Sequence, residues 1–103
     1  MSNKLSEDFE HAMYSIYDRA LNEAGYKATT FKNMHLELGA VETARRLILS
    51  PKTPDGYTAL WERGRLDLTL EALIYENEKW HELFAAEELA KCTKRLKQYG
   101  YLK

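Results

Sequence analysis

The positions of glycine constrain the fold of this 103-residue chain more than any other sequence feature. Gly25, Gly39, Gly64 and Gly100 each follow a stretch in which apolar residues recur every three or four positions. That spacing is typical of an amphipathic helix, and glycine often ends one because it adopts a positive φ without strain. The fifth glycine lies in segment 51–56, whose two prolines predict a turn. No stretch alternates with a period of two, so the sequence predicts helices throughout.

The apolar spacing predicts six or seven mostly short helices. The first is the clearest, since Ser6 is a good N-cap and the apolar residues from Phe9 to Ala24 share one helix face. Most of the helices are too short to be stable alone, so burial of their apolar faces has to hold them together. We therefore expect an all-α fold, a compact single domain over residues 1–103 with irregular or orthogonal packing. The later helices are expected to begin at Thr29 or Thr30 as a cap, Ala40, Tyr57, Asp67 or Thr69 as a cap, Asn77 as a cap, and Ala86.

Composition excludes several classes of protein. Apolar residues make up 45% of the chain and charged residues 30%, as in a globular protein and unlike a disordered one. No stretch approaches the roughly 20 apolar residues of a membrane span. The start of the chain lacks the basic residues and apolar run of a secretory signal, and the single cysteine excludes an internal disulfide. We therefore expect a cytoplasmic protein that does not bind a membrane.

Six aromatic residues and the cysteine are expected in the core. They lie on the apolar faces of the predicted helices, where burial is the usual reason for a large ring. Cys92 shares one face with Leu89 and Leu96, so we predict a buried side chain and an unreactive thiol. The six rings are those of Phe9, Tyr17, Phe31, Trp61, Trp80 and Phe84.

Nothing in the sequence predicts catalysis, a metal or a cofactor. Glu78 and His81 have one Glu-x-x-His spacing, whereas a di-iron bundle needs two such pairs and two further glutamates. No nucleophile elbow, phosphate-binding loop or dinucleotide fingerprint occurs. Residues 31–49 have the order of a helix-turn-helix, but His35 and Arg45 would then occupy positions that need small or buried residues. We interpret this segment as a tight corner between two core helices.

Charge is unevenly distributed although the net charge is only −1. Segment 67–88 has seven acidic residues and one basic residue, whereas segment 89–103 has five basic residues and no acidic one. Acids at the start of the last helix and bases at its end also match the helix dipole. The basic residues of the last segment also allow a function in contact with nucleic acid. A nucleic-acid-binding accessory protein is therefore the alternative to the favoured function, binding of a protein partner. Its candidate contacts are Lys91, Lys94, Arg95 and Lys97.

One segment resembles a known family. Residues 60–73 read Leu-Trp-Glu-Arg-Gly-Arg-Leu-Asp-Leu-Thr-Leu-Glu-Ala-Leu, and this run is similar to a segment of small bacterial all-α proteins without an assigned function. The resemblance covers about residues 31–101 and includes the helix after Gly39 and the final segment 95–101. Ala85 stands where the family pattern has a threonine helix cap. The resemblance implies a bacterial or phage helical domain and no particular activity.

The favoured function is a non-catalytic module that binds a protein partner or a second copy of itself. Tyrosines off the core faces and arginines near them are typical of protein interfaces. A phage-type inhibitor of a bacterial defence system is one form that such a small protein could take. The candidate contact residues are Tyr14, Arg45, Arg46, Arg63, Arg65 and Tyr75.

Overall fold

The structure is a computed structural model that describes residues 4–102. This part of the chain is built from helices and contains no strand, which confirms the predicted all-α fold. None of the helices within it is long and apolar enough to cross a bilayer. Two 3-10 turns, Leu66–Leu68 and Glu78–Leu83, separate the last three α-helices. The α-helices are α1 (Lys4–Ala24), α2 (Thr29–Leu38), α3 (Ala40–Leu49), α4 (Asp55–Glu62), α5 (Leu70–Glu76) and α6 (Ala86–Gln98).

Helix α1 lies at the centre of the bundle. Its buried face, from Phe9 to Ala20, packs against α3, α5 and both 3-10 turns. Helices α3 and α5 pack on α6 in turn, and α2 packs against α3. The largest group of buried side chains comprises Phe9, Met13, Ile16, Tyr17, Ala28, Ala40, Ala44, Leu47, Ile48, Leu70, Ile74, Trp80, Phe84 and Cys92.

Several predicted helix starts are confirmed. Helix α3 begins at Ala40 and helix α6 at Ala86, as the sequence predicts. The Thr69 hydroxyl caps α5 by accepting a hydrogen bond from the Ala72 N–H at 3.2 Å. The Asn77 side chain caps the second 3-10 turn. In these places the local cap chemistry and the apolar pattern favour the same boundary.

The predicted caps of the first two helices are wrong. Ser6 lies inside α1, and the helix continues past it because Leu5 also packs against the core. Helix α2 begins at Thr29, and the residue before it, Ala28, is buried and offers no side-chain cap. Helix α2 therefore begins without a side-chain cap, and both threonines lie within its first turn.

Two glycines have structural roles that differ. Gly39 joins α2 to α3 with φ of 84°, which agrees with the predicted tight corner. Gly56, expected in a turn, is instead buried in the first turn of α4. A side chain at Gly56 would overlap the Phe31 ring, so α4 can approach α2 only because no Cβ is present.

The two tryptophans have opposite environments. Trp80 is 3% exposed and its ring lies 5.3 Å from that of Phe9, which confirms its predicted place in the core. Trp61 is 46% exposed, so the prediction that it anchors the core is wrong. Tyr57 and Leu60 define the buried side of α4, and Trp61 lies at the margin of that side.

Candidate protein interface

The indole of Trp61 packs against the ring of Tyr99, and Tyr99 packs in turn against Tyr57. Its ring centroid is 5.3 Å from that of Tyr99, at an interplanar angle of 78°. Tyr99 in turn lies 5.0 Å from Tyr57, at 71°. Both are edge-to-face arrangements, the favoured geometry of aromatic pairs. We call Trp61 and Tyr99 the aromatic surface; it joins α4 to the residue that follows α6.

Hydrogen bonds hold the rings beneath Trp61 in place. The Tyr57 hydroxyl is buried and donates to the Arg95 carbonyl oxygen at 3.1 Å. The Tyr99 hydroxyl donates to Oγ1 of Thr53 at 3.2 Å, and the Tyr99 N–H bonds the Arg95 carbonyl. Burial is the main cause that raises the pKa of Tyr57 above its ordinary value, so this phenol stays protonated. Hydrogen bonds therefore hold in place the two tyrosine rings on which Trp61 packs or which lie behind it.

Helices α4 and α6 also expose charged residues of opposite sign. Glu62 is exposed and lies about 100° further round α4 than Trp61. Lys91 and Lys94 are exposed on α6, whereas Cys92 of the same helix is buried. None of these three charged residues has an ion-pair partner among residues 4–102.

Two of the predicted contact arginines, Arg63 and Arg65, follow α4 and bind groups at the C-terminal end of α1. Arg63 donates to the carbonyl oxygens of Ala24 and Ala59, both at 2.9 Å. Arg65 bonds Glu23 at 2.7 Å and Asp67 at 3.0 Å. Both arginines thus bind groups of their own chain at the surface.

The other four predicted contact residues lie elsewhere. Arg45 reaches the start of α6, where its Nε is 3.5 Å from a Glu88 oxygen. Arg46 pairs with Glu42 on the same helix at 3.4 Å. Tyr14 stacks on the buried His35 ring at 4.4 Å. No described contact joins Tyr75 or Arg46 to any of the other predicted contact residues. Tyr75 is 40% exposed on α5. The structure does not bring the six residues together as one surface.

Arg95, one of the predicted nucleic-acid contacts, uses its guanidinium within its own chain. Its guanidinium pairs with the buried carboxylate of Glu71 at 2.7 Å. It also donates to the carbonyl oxygens of Leu47, Ile48 and Ser50, at the end of α3. The carbonyls in the last turn of a helix have no hydrogen-bond donor within that helix. Arg95, which lies on α6, therefore supplies donors to the end of α3. Lys91, Lys94 and Lys97, the other predicted contacts, are exposed.

An open cleft of about 310 Å³ lies between α5, the second 3-10 turn and α6. Glu78 and His81 line it, but His81 Nε2 lies 3.0 Å from the Ile74 carbonyl oxygen. Within residues 4–102 no three histidine, cysteine or acidic side chains converge as metal ligands. Cys92 is buried as predicted, and burial raises the pKa of its thiol to about 12. A thiol with that pKa is protonated at neutral pH and is a poor nucleophile.

Comparison of the chain with protein-family models, curated proteins and solved structures found no match. The resemblance to small bacterial all-α proteins therefore stays a prediction. Sequence reasoning missed Trp61 as a surface residue because its spacing from Tyr57 is that of a shared helix face. Trp61 comes one residue after Leu60, at the margin of a short buried stripe. That position could have indicated that Trp61 is only partly buried.

Proposed function

We propose that this chain is a non-catalytic protein-interaction module whose partner packs on the aromatic surface. The supporting observation is Trp61, a residue that is 46% exposed and whose ring packs on that of Tyr99. Tryptophan and tyrosine are among the residues that most often dominate binding energy at protein interfaces. A partner that covers such a ring removes apolar area from water, which stabilises the complex by roughly 25 cal/mol per Å².

The hydrogen bonds beneath Trp61 support the same proposal. Tyr57 and Tyr99 are both fixed before any partner arrives, through the Arg95 carbonyl and the Thr53 hydroxyl. Ordering a mobile side chain at an interface costs about 0.5–1.5 kcal/mol. The two tyrosines avoid most of that cost, so more of the free energy of burial contributes to binding.

The lysines of α6 favour a second candidate, contact with nucleic acid. Lys91, Lys94 and Lys97 are exposed on one helix, and none has an ion-pair partner among residues 4–102. Three phosphate contacts would give a slope of roughly −2 to −3 in the logarithmic plot of affinity against salt. Arg95 does not add a fourth contact, because its guanidinium binds Glu71. The net charge of −1 adds no general attraction, so this candidate ranks second.

The test is affinity capture from a lysate of the organism that encodes the chain. The baits are the unchanged chain, Trp61→Ala, and Leu36→Ala as a matched control. Leu36 is 75% exposed on α2 and lies outside the aromatic surface. Loss of a residue that dominates an interface costs at least about 2 kcal/mol, or roughly thirtyfold in affinity.

We expect the unchanged chain and Leu36→Ala to capture the same protein, quantified by mass spectrometry. We expect Trp61→Ala to lose it while its circular dichroism stays that of the unchanged chain. Equal capture by all three baits would contradict the proposal. Capture that is lost after nuclease treatment would favour the second candidate.

A further inference from the structure

We infer that the open cleft between α5, the second 3-10 turn and α6 binds an alkylguanidinium, a planar cationic group on an aliphatic stem. The cleft has a volume of about 310 Å³, at the lower end of the range for small-ligand sites. The observation that carries the inference is its lining, which combines buried apolar side chains with carboxylates and other hydrogen-bond acceptors. The inference does not depend on the aromatic surface, because neither Trp61 nor Tyr99 lines the cleft.

The floor of the cleft is apolar. Ile74 and Cys92 line it and are buried, and Leu89 lines it and is half-buried. Burial raises the pKa of the Cys92 thiol to about 12, so this side chain is neutral and adds no charge. The methylene groups of a ligand that cover such a floor leave water together with it, which favours binding.

Two carboxylates of the cleft are not neutralised by the protein. Glu76 and Glu78 are exposed, and neither has an ion-pair partner in the part of the chain that the structure describes. The ammonium of Lys79 lies 4.4 Å from the centroid of the Trp80 ring instead. The Tyr101 hydroxyl donates to Oε1 of Glu76 at 2.8 Å, and a carboxylate accepts several such bonds, so Glu76 can also accept from a ligand.

Two further polar side chains of the cleft are acceptors. His81 Nε2 lies 3.0 Å from the Ile74 carbonyl oxygen; a carbonyl only accepts, so Nε2 donates and Nδ1 is the acceptor of the neutral ring. The Thr93 hydroxyl donates to the Leu89 carbonyl oxygen at 3.2 Å, so its lone pairs are what it offers a ligand. Among the described residues, no lysine or arginine lines the cleft. The lining therefore favours a cation that donates hydrogen bonds and disfavours an anion.

A guanidinium has the chemistry that this lining complements. It has five N–H donors in one plane, no acceptor and a permanent charge, and it pairs with both oxygens of a carboxylate. Its flat face also stacks on aromatic rings, and Tyr75, which lines the same cleft, is 40% exposed. An ammonium has the same charge but neither the flat face nor the paired donors, so we expect it to bind more weakly.

The experiment is an NMR titration of the ¹⁵N-labelled chain at about 0.15 M salt, where distant charges are screened. The probes are butylguanidine and N-acetylarginine methylamide, with N-acetylcitrulline methylamide as the neutral counterpart of nearly the same shape. We expect both cations to shift the backbone amides of the lining residues, with a Kd of about 1 mM, ordinary for ligands of this size. We expect the citrulline compound to bind about tenfold more weakly or less, because it has no charge to pair with the carboxylates.

The variants remove one feature of the cleft at a time. Glu78→Gln keeps the size of the side chain and removes its charge, so it is expected to weaken butylguanidine about threefold to fivefold. Glu82→Gln is the matched control, since Glu82 is an exposed acid of the same 3-10 turn that does not line the cleft. Tyr75→Ala is expected to weaken binding about twofold to fivefold, whereas Tyr75→Phe keeps the ring and the affinity.

The absence of saturable shifts at the lining residues up to about 20 mM butylguanidine would overturn the inference. Equal affinity for the citrulline compound would also overturn it, because the charge would then not be recognised. An effect of Glu82→Gln as large as that of Glu78→Gln would overturn it as well, since the attraction would not be local to the cleft. The expected pattern supports the inference, and the tighter of the two cations indicates whether a free alkylguanidine or an arginine of a protein is the source of the group.

Discussion

The surroundings of Trp80 and Trp61 differ although both residues sit on short apolar segments of similar pattern. Trp80 lies in a 3-10 turn whose inner side meets α1, so Phe9 covers its ring. Trp61 lies on α4, and its half-exposed ring packs edge to face with that of Tyr99. The difference shows that a residue's own segment does not decide its burial. What decides it is whether an element distant in the sequence covers that segment.

The first way to break this comparison is to remove each indole. Trp80→Ala is expected to lower the free energy of unfolding by about 3–5 kcal/mol, because a buried ring leaves a cavity. Trp61→Ala is expected to cost about half as much or less, since nearly half of its surface is already in water. Urea denaturation followed by circular dichroism measures both. Equal losses would mean that the two indoles are equally important to the fold.

The second prediction concerns the buried ion pair beneath the aromatic surface. Arg95→Met removes the partner of Glu71 and the donor to two carbonyls of α3 and to that of Ser50, so it is expected to cost about 3 kcal/mol. Arg95→Met/Glu71→Leu is expected to be more stable than Arg95→Met, because no buried carboxyl is then left without a partner. Thermal unfolding of both variants checks this. A double variant that is less stable than Arg95→Met would contradict it.

Much of the fold follows from local sequence signals. The apolar spacing and the glycines predict the helices, and Thr69 and Asn77 predict two of their caps. These features depend on neighbours within one turn of helix, so the sequence contains them directly. The inward position of Arg95 depends on contacts with the end of α3, some 45 residues earlier in the chain. The spacing of apolar residues reports on neighbours within a helix and says nothing about such distant contacts. For the same reason the sequence did not predict that Trp61 would be left exposed.

The third prediction concerns alkaline pH. Burial raises the pKa of Cys92 from about 9 in the unfolded chain to about 12. Because the folded pKa is the higher one, this contribution to stability is complete below pH 9 and is lost as pH rises towards 12. Cys92→Ala is expected to reduce the decline in stability over this range, relative to the unchanged chain. Chemical denaturation at several pH values measures the two slopes, and identical slopes would contradict burial of the thiol.

The smallest effect is expected at the lysines of α6. Lys91→Glu/Lys94→Glu is expected to change stability by less than about 0.5 kcal/mol, because both residues are exposed and opposite the buried face. We also expect no difference from the unchanged chain in a gel-shift assay with duplex or single-stranded DNA at moderate salt. Binding by the unchanged chain that this variant loses, with an unaltered fold, would favour the nucleic-acid candidate.

The fluorescence of Trp61 tests the central claim most directly. The chain has two tryptophans, so Trp80→Phe leaves Trp61 as the single indole. We expect acrylamide to quench this indole readily in dilute protein. We expect its emission to shift to the blue, and the quenching to fall, as the complex forms with the captured protein. An indole that stays equally quenchable in the complex would contradict the claim that the aromatic surface is the interface.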